Sequence, residues 1–285
     1  MKPGRTLLLT ALAMMAFAAN SILCRLALRD GAIDATSFTT VRLLAGTAML
    51  AVILLLRDRN GAVLWRSGSA GSALALFVYA AGFSFAYVEL NTGTGALLLF
   101  GAVQATMIGV GLYRGERMQA GQWLGLLFAL TGLVALLLPG ATAPALPSAL
   151  LMLLAGAAWG IYSLRGKRAT DATAATAGNF LFALVWLVPL WFVATPIHWP
   201  DSEGVLYALL SGALASGAGY AIWYLALSSL ASTTAATVQL SVPVLAALVG
   251  VVEMGEPMTL RLLLASLAIL GGIALVIRGR RVPVS

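Results

Sequence analysis

Long apolar runs broken by short polar stretches dominate the chain, and they set its predicted elements. A helix needs about 20 mostly apolar residues to cross a bilayer. Ten such runs fit, at residues 6–26, 36–56, 70–90, 92–113, 118–138, 146–165, 173–195, 203–227, 231–252 and 258–278. Several are rich in Gly, Ala, Ser and Thr, which lets helix backbones approach closely in lipid. Ser211, Ala215 and Gly219 form one such row at four-residue spacing in the eighth run. Of the 10 prolines, Pro189 and Pro243 lie well inside runs, and the others fall in loops, at ends or in tails. That distribution predicts helices, since a transmembrane barrel alternates in ~10-residue segments. Pro243 is a candidate hinge of the ninth run.

Composition agrees. The 285 residues are 61% hydrophobic and 9% charged, with a mean hydropathy of +0.97; soluble domains carry about 25% charged residues. Lipid is therefore the solvent, and the fold class is an all-α polytopic membrane protein with little room for a soluble domain. Lys2, Arg5 and the apolar stretch 7–17 also resemble a signal peptide. Cleavage there would leave nine spans, so we read this first run as a retained helix. A single cysteine, Cys24, excludes an intramolecular disulfide. With one histidine, His198, no His/Cys metal site is expected. The 17 basic residues against 10 acidic ones give a formal net charge of +7. With the N-terminus in the cytoplasm, Arg25, Arg29 and Arg261 are external and Arg42 lies inside the second run. All other basic residues, among them Lys2, Arg57, Arg59, Arg66, Arg114, Arg117, Arg165, Lys167, Arg168, Arg280 and Arg281, are then cytoplasmic. This is a positive-inside pattern that puts both termini in the cytoplasm. It explains the basic balance without nucleic acid.

The chain also matches itself. At a shift of 140 residues, Gly115-Glu116-Arg117-Met118 falls on Gly255-Glu256-Pro257-Met258, and Gly132 on Gly272. At nearby shifts, Gly82-Phe83 meets Gly219-Tyr220, and Phe17, Ser21 and Arg25 meet Trp159, Ser163 and Lys167. The expected units are residues 1–140 and 141–285, each of five spans. Because five is odd, the second unit is inserted upside down relative to the first. Such inverted repeats form a midplane site reached alternately from each face in secondary transporters. No phosphate-binding loop or catalytic cluster occurs, so no enzyme activity and no cofactor are expected.

Arg42 in the second span, the Gly-Glu pairs after the fourth and ninth, Pro243 and the glycines near 271 together resemble the drug/metabolite transporter superfamily, in its ten-span EamA branch. Phe17, Thr36 and Val103 depart from that pattern, standing where the family often has Trp, Pro and Pro. Within the branch the chain is similar to YddG-type exporters of the bacterial inner membrane. The resemblance implies export of aromatic and other neutral amino acids, or related small metabolites, by a monomer or homodimer embedded in membrane lipid. Rival readings are a multidrug or organic-cation exporter, a passive channel and a membrane-embedded lipid-modifying enzyme.

Spans three and eight present aromatic rows at four-residue spacing, Tyr79, Phe83 and Tyr87 in one and Ser216, Tyr220 and Tyr224 in the other. Tyr79, Phe83 and Tyr220 are expected to line the cavity, with Tyr87 and Tyr224 in the interfacial belt. Asn20, Gln104, Asn179 and Gln239 must face another helix or water, because an amide facing lipid is unsatisfied. All four are substrate-binding candidates, with Gln104 and Gln239 reading the ammonium and carboxylate of an amino acid. Trp159, Tyr162 and Trp186 lie deeper than belt aromatics and join the list. Arg42, ~9 Å into its helix at 1.5 Å per residue, either fastens helix ends or meets a substrate carboxylate. Glu89, Glu116, Glu253 and Glu256 sit at span ends. Without a deep carboxylate as proton relay, facilitated transport or exchange is as well indicated as proton antiport.

Overall fold

A computed structural model describes residues 3–58, 67–115, 118–138, 143–166, 169–194, 199–227, 229–230 and 238–278. Among these, the regular structure is helical throughout. The helices are α1 (Pro3–Arg29), α2 (Ala35–Asp58), α3 (Ala70–Tyr87), α4 (Thr92–Tyr113) and α5 (Ala120–Leu137), followed by α6 (Leu146–Gly166), α7 (Ala172–Val193), α8 (Ser202–Leu227), α9 (Ser241–Met254) and α10 (Leu260–Arg278). Helices α1 to α8 are each long and apolar enough to cross a bilayer, while α9 and α10 are shorter apolar helices. Residues 231–237 of the expected ninth span lie outside the described residues, as do Lys2, Arg59, Trp65, Arg66, Glu116, Arg117, Lys167, Arg168, His198, Arg280 and Arg281. Pro243, expected within a span, occupies the first turn of α9. There its missing N–H removes no intrahelical bond.

Local chemistry sets the helix ends. The Ser69 hydroxyl accepts the Ser72 N–H at 3.3 Å to start α3, and the Asp171 carboxylate accepts the Ala174 N–H at 3.0 Å to start α7. Gln119 and Gln122 cap α5 reciprocally. Helix α7 tightens to a 3₁₀ turn at Leu184–Trp186. Pro189, four residues after Val185, has no N–H to offer that residue's carbonyl.

Helix α8 departs most from regularity. Ser211–Ala218 forms a π-helical stretch, whose wider turn aligns residues five apart rather than four. The expected row of Ser211, Ala215 and Gly219 therefore gives way to two five-residue rows. Ser211 and Ser216 turn polar atoms toward α1 and α2, and Gly212 and Gly217 pack on α2. A methyl on Gly212 would sit 2.3 Å from the Arg42 carbonyl oxygen, and one on Gly217 would sit 3.0 Å from Met49 Cβ. Glycine is required for this approach.

The pairings follow from such contacts. α3 packs on α6 and α7, α4 on α6 and α9, α1 on α8 and α9, and α2 on α7 and α8. α5 and α10 pair with each other. Contacts between helix ends sort into two rims. At the rim of the loops after odd-numbered helices, Arg25 donates to the Tyr87 and Val88 carbonyls at 3.0 and 2.8 Å, and the Asp201 N–H donates to the Ala32 carbonyl at 2.7 Å. At the opposite, even-loop rim, Arg57 pairs with Asp171, and Arg165 donates to Ser72 Oγ at 2.9 Å.

Two outcomes follow. Gly212→Ala forces α2 and α8 apart and destabilises the protein by about 1–3 kcal/mol, read as a lowered melting temperature in detergent. The second concerns Asp171, whose carboxyl the hydrogen-bonded Arg57 guanidinium holds below the usual carboxylate range; the Ala174 N–H adds to this and partial burial opposes it. Its folded value is depressed, so its stabilisation is complete above the unfolded value of about 3.9 and is lost as pH falls through the folded one. Both partners are 41% exposed, which limits the pair to roughly 0.2–1 kcal/mol. Asp171→Asn, which keeps the cap, should lower the melting temperature slightly at neutral pH, with the difference shrinking as pH falls from the unfolded value of about 3.9 through the folded one. Melts at neutral pH and across that acid range check this.

Candidate functional site

Where α1, α3, α6 and α8 meet, aromatic rings close on one another. Trp159 is the hub, with Tyr79 and Tyr220 ring centroids each 4.8 Å away, Tyr162 stacked at 5.4 Å and Phe17 edge-on at 6.3 Å. Phe83 continues the row at 5.5 Å from Tyr79. Edge and tilted geometries of this kind are the favoured ones for aromatic quadrupoles. Phe17, Asn20, Tyr79, Phe83, Trp159 and Tyr220, with Ser21, Leu99 and Phe100, enclose a central space of about 10 Å³. That is room for a single water. The centre is shut.

A polar layer sits against the rings. The Tyr79 hydroxyl receives Arg42 Nη2 at 3.0 Å, Asn20 Nδ2 at 3.1 Å and the Tyr220 hydroxyl at 3.4 Å. Arg42 Nε donates to Ser216 Oγ at 3.3 Å, and Ser211 Oγ donates to Asn20 Oδ1 at 2.6 Å. The guanidinium carbon of Arg42 lies 5.1 Å from the Tyr79 ring centroid and 4.9 Å from that of Phe83. Arg42 is 1% exposed. Its Nη1 has no hydrogen-bond partner among the described residues, and no carboxylate there pairs with it.

The structure thus brings Asn20, Arg42, Tyr79, Phe83, Trp159, Tyr162 and Tyr220 together. Asn179 is buried one residue from Phe180, whose ring meets Tyr220 at 5.9 Å. Its own Oδ1 accepts the Ser69 N–H at 2.9 Å and anchors the start of α3. Three expected site residues lie elsewhere. Gln104 is buried in a small apolar space between α4, α5 and α10, beside Gly101, Ala129 and Ile269. Gln239 is buried just before α9 and does not line the central space. Trp186 is 39% exposed and stacks on Phe77 at 6.3 Å, because its 3₁₀ turn faces it outward. Tyr87 is also not a belt residue. It is fully buried, edge-on to Phe83 at 4.7 Å, and its hydroxyl donates to the Thr92 carbonyl at 3.2 Å.

Trp223, 5.8 Å from Phe17, was not among the expected residues. Its position three after Tyr220 on α8 was the available signal.

The two rims differ. At the odd-loop rim, the Gly255 turn at φ +63° swings the Glu256 side chain onto the start of α4. Its carboxylate accepts the Thr92 N–H at 2.8 Å and the Thr92 hydroxyl at 2.9 Å, and lies 3.6 Å from Arg25 Nε. A carboxylate at a helix N-terminus is favourably placed. One side chain therefore ties the α9–α10 turn to α1 and α4. At the even-loop rim, by contrast, a recess of about 460 Å³ opens between Arg57, Gly166, Asp171, Tyr224 and Leu230. Tyr224 is one helical turn from Tyr220, so about 6 Å along the axis separates recess and central space.

Comparison with known proteins gives four likenesses. Residues 146–278 match the EamA-like transporter family. An uncharacterized protein of Pseudomonas aeruginosa is 59% identical over 280 residues, covering 98% of this chain and 97% of that protein. An uncharacterized transporter of Archaeoglobus fulgidus is 25% identical over 276 residues, covering 89% of this chain and 90% of that one. A protein of known crystal structure, 20% identical, shares the fold with a TM-score of 0.70 over 99% of this chain and 100% of its own.

The Glu256 tie yields a test. Glu256→Ala removes charged hydrogen bonds that hold the odd-loop rim shut. With Cys24→Ser as background, a Ser21→Cys probe in the central space should react with a water-soluble maleimide on the order of tenfold faster in the Glu256→Ala protein. An unchanged labelling rate would mean that Glu256 only caps α4.

Proposed function

The chain belongs to the EamA-like transporter family of multi-pass membrane transporters, and from that premise we propose that it exports aromatic and other neutral amino acids, or related small metabolites, by alternating access. The observation that carries the reading is the closed aromatic cluster around Trp159, held between helices from both ends of the sequence. Stacking rings are the chemistry that takes a flat apolar side chain, and the polar layer on Tyr79 and Asn20 takes the head group. The 10 Å³ space admits no such cargo, so transport requires the rings to part.

The helix pairings support a two-unit mechanism, with residues 1–140 and 141–285 as the units. Exchanging each helix for the one five places away turns α3 on α6 into α8 on α1. It turns α4 on α6 into α9 on α1 and α2 on α8 into α7 on α3, and each product is a pairing present in the structure. Rocking two such units about the central site exposes it to either face. The bias of basic residues toward the even-loop rim supports an orientation with that rim and both termini in the cytoplasm of a bacterial inner membrane. The recess beside Tyr224 then faces the cytoplasm and the Glu256 tie closes the outside, which is the arrangement from which export starts. The described carboxylates sit near helix ends, which favours exchange or facilitated release over a deep proton relay. The transporter works as a monomer or homodimer.

Counterflow tests this. Sealed proteoliposomes preloaded with unlabelled phenylalanine or tryptophan should accumulate the labelled compound, saturably. Trp159→Ala, which removes ring contacts of about 0.5–1.5 kcal/mol each, should raise the half-saturating concentration about tenfold. No accumulation across a panel of neutral amino acids would refute the cargo assignment.

A further inference from the structure

We infer that the central site selects cargo carrying a carboxylate, and that Arg42 is the specificity-determining residue that receives it. The inference deepens the transport reading above and rests on it. Its basis is a surplus of donors. An arginine offers five N–H groups and accepts nothing, and a phenol oxygen has two lone pairs. Around Tyr79 the donors Arg42 Nη2, Asn20 Nδ2 and the Tyr220 hydroxyl converge on one oxygen. Two acceptors beside it each already receive one donor, Asn20 Oδ1 from Ser211 and Ser216 Oγ from Arg42 Nε. Arg42 Nη1 is left with no partner while buried. Burial without a partner is what native structures avoid, and a group left so points to something the structure does not contain.

Charge makes the same demand. Arg42 is 1% exposed in a helix that crosses the bilayer. The described Asp and Glu residues lie near helix ends, where their partners include rim groups such as Arg57, Ser148 and Thr92. The groups facing the guanidinium are the Tyr79, Tyr220 and Ser216 hydroxyls, the Cys24 thiol and the faces of the Tyr79 and Phe83 rings. These are weak, uncharged counterparts for a full positive charge. Arg42 does not itself line the central space; the Tyr79 and Phe83 rings, which do, lie over its guanidinium. A carboxylate entering as those rings part supplies both oxygens to Arg42 in a paired fork, with Nη1 as the unused arm. It adds the acceptors that the Tyr79 oxygen is short of and neutralises the buried cation. A cationic amine of the same ring size adds donors and like charge to a site with an excess of both. The cargo class is therefore an aromatic or apolar carboxylate, zwitterionic or anionic, and organic cations are excluded by the same group.

Three probes that share a phenyl ring separate the possibilities: phenylalanine, 3-phenylpropionate, which lacks the ammonium, and phenethylamine, which lacks the carboxylate. Inhibition of phenylalanine counterflow and thermal stabilisation of the purified protein are the two readouts. The wild-type protein should respond to the two carboxylates at concentrations about 10–100-fold below those needed for the amine. Arg42→Gln should lose that preference, while Arg42→Lys, which keeps the charge without the fork, should retain part of it. An equal response to phenethylamine in the wild-type protein, or an undiminished carboxylate preference in Arg42→Gln, would overturn the role of Arg42 and leave the carrier reading standing. The wild-type comparison needs no variant, so misfolding of Arg42→Gln does not remove the test. Failure of all three compounds in both readouts would overturn the aromatic cargo itself.

Discussion

A single positive charge buried in the membrane-spanning core constrains everything around it. Holding a guanidinium away from water costs several kcal/mol unless it is hydrogen-bonded and paired. The fold offsets part of that cost with two hydroxyls and two ring faces around Arg42. Those four contacts come from α3 and α8, so the charge on α2 fixes how both helices approach. The π stretch in α8 follows from the same demand. Regular α-helical spacing does not align residues five apart, whereas the wider turn lets Ser211 reach Asn20 and Ser216 reach Arg42, with Gly212 against the Arg42 backbone. A local departure from ideal helix geometry is thus set by side chains that must be satisfied in lipid, where the backbone has no water to turn to.

The two rims show how the same principle is applied at different strength. The Glu256 carboxylate is only 10% exposed and joins three segments through charged hydrogen bonds. The Arg57–Asp171 pair, at 41% exposure, is screened by solvent and holds two helices weakly. Among the described residues, the more buried of these two ties is thus the one at the odd-loop rim. Small residues at the helix crossings let the backbones pack closely, as Gly212 does on the Arg42 carbonyl.

Much of this was legible in the sequence. Hydrophobic run length located nine of the helices to within a few residues, since the bilayer thickness fixes it. The rows on spans three and eight, and the depth of Trp159, correctly singled out Tyr79, Phe83 and Tyr220 as residues that would share one space. Sequence reasoning misjudged depth and facing where these depend on neighbours. Tyr87 looked interfacial because it ends its run, yet Gly95 leaves a gap that its ring fills, with a methyl there only 2.4 Å from Tyr87 Cε1. Trp186 looked deep, and a 3₁₀ turn set by the proline three residues on turned it out. Gln104 was placed by the rule that a membrane amide needs a partner; that rule says an amide is buried, not against which helix. The reach of Glu256 to Thr92 crosses 164 residues of sequence, and no local pattern announces it.

The shut centre and the unsatisfied Nη1 belong to one argument. On the carrier reading proposed above, the empty site has to close on itself so as not to leak, and aromatic rings do this by stacking on one another in place of cargo. Rings close a space well but cannot supply acceptors. The closed state therefore satisfies its apolar surface fully and its donors incompletely, and the deficit falls on the group most expensive to leave unpaired. Cargo that merely matched the rings would gain little by displacing ring–ring contacts of equal quality. Cargo that also brings a carboxylate gains what the empty site lacks. The energy to part the helices then comes from the difference between those two states rather than from the total binding energy, which is the condition for a ligand to shift a conformational equilibrium.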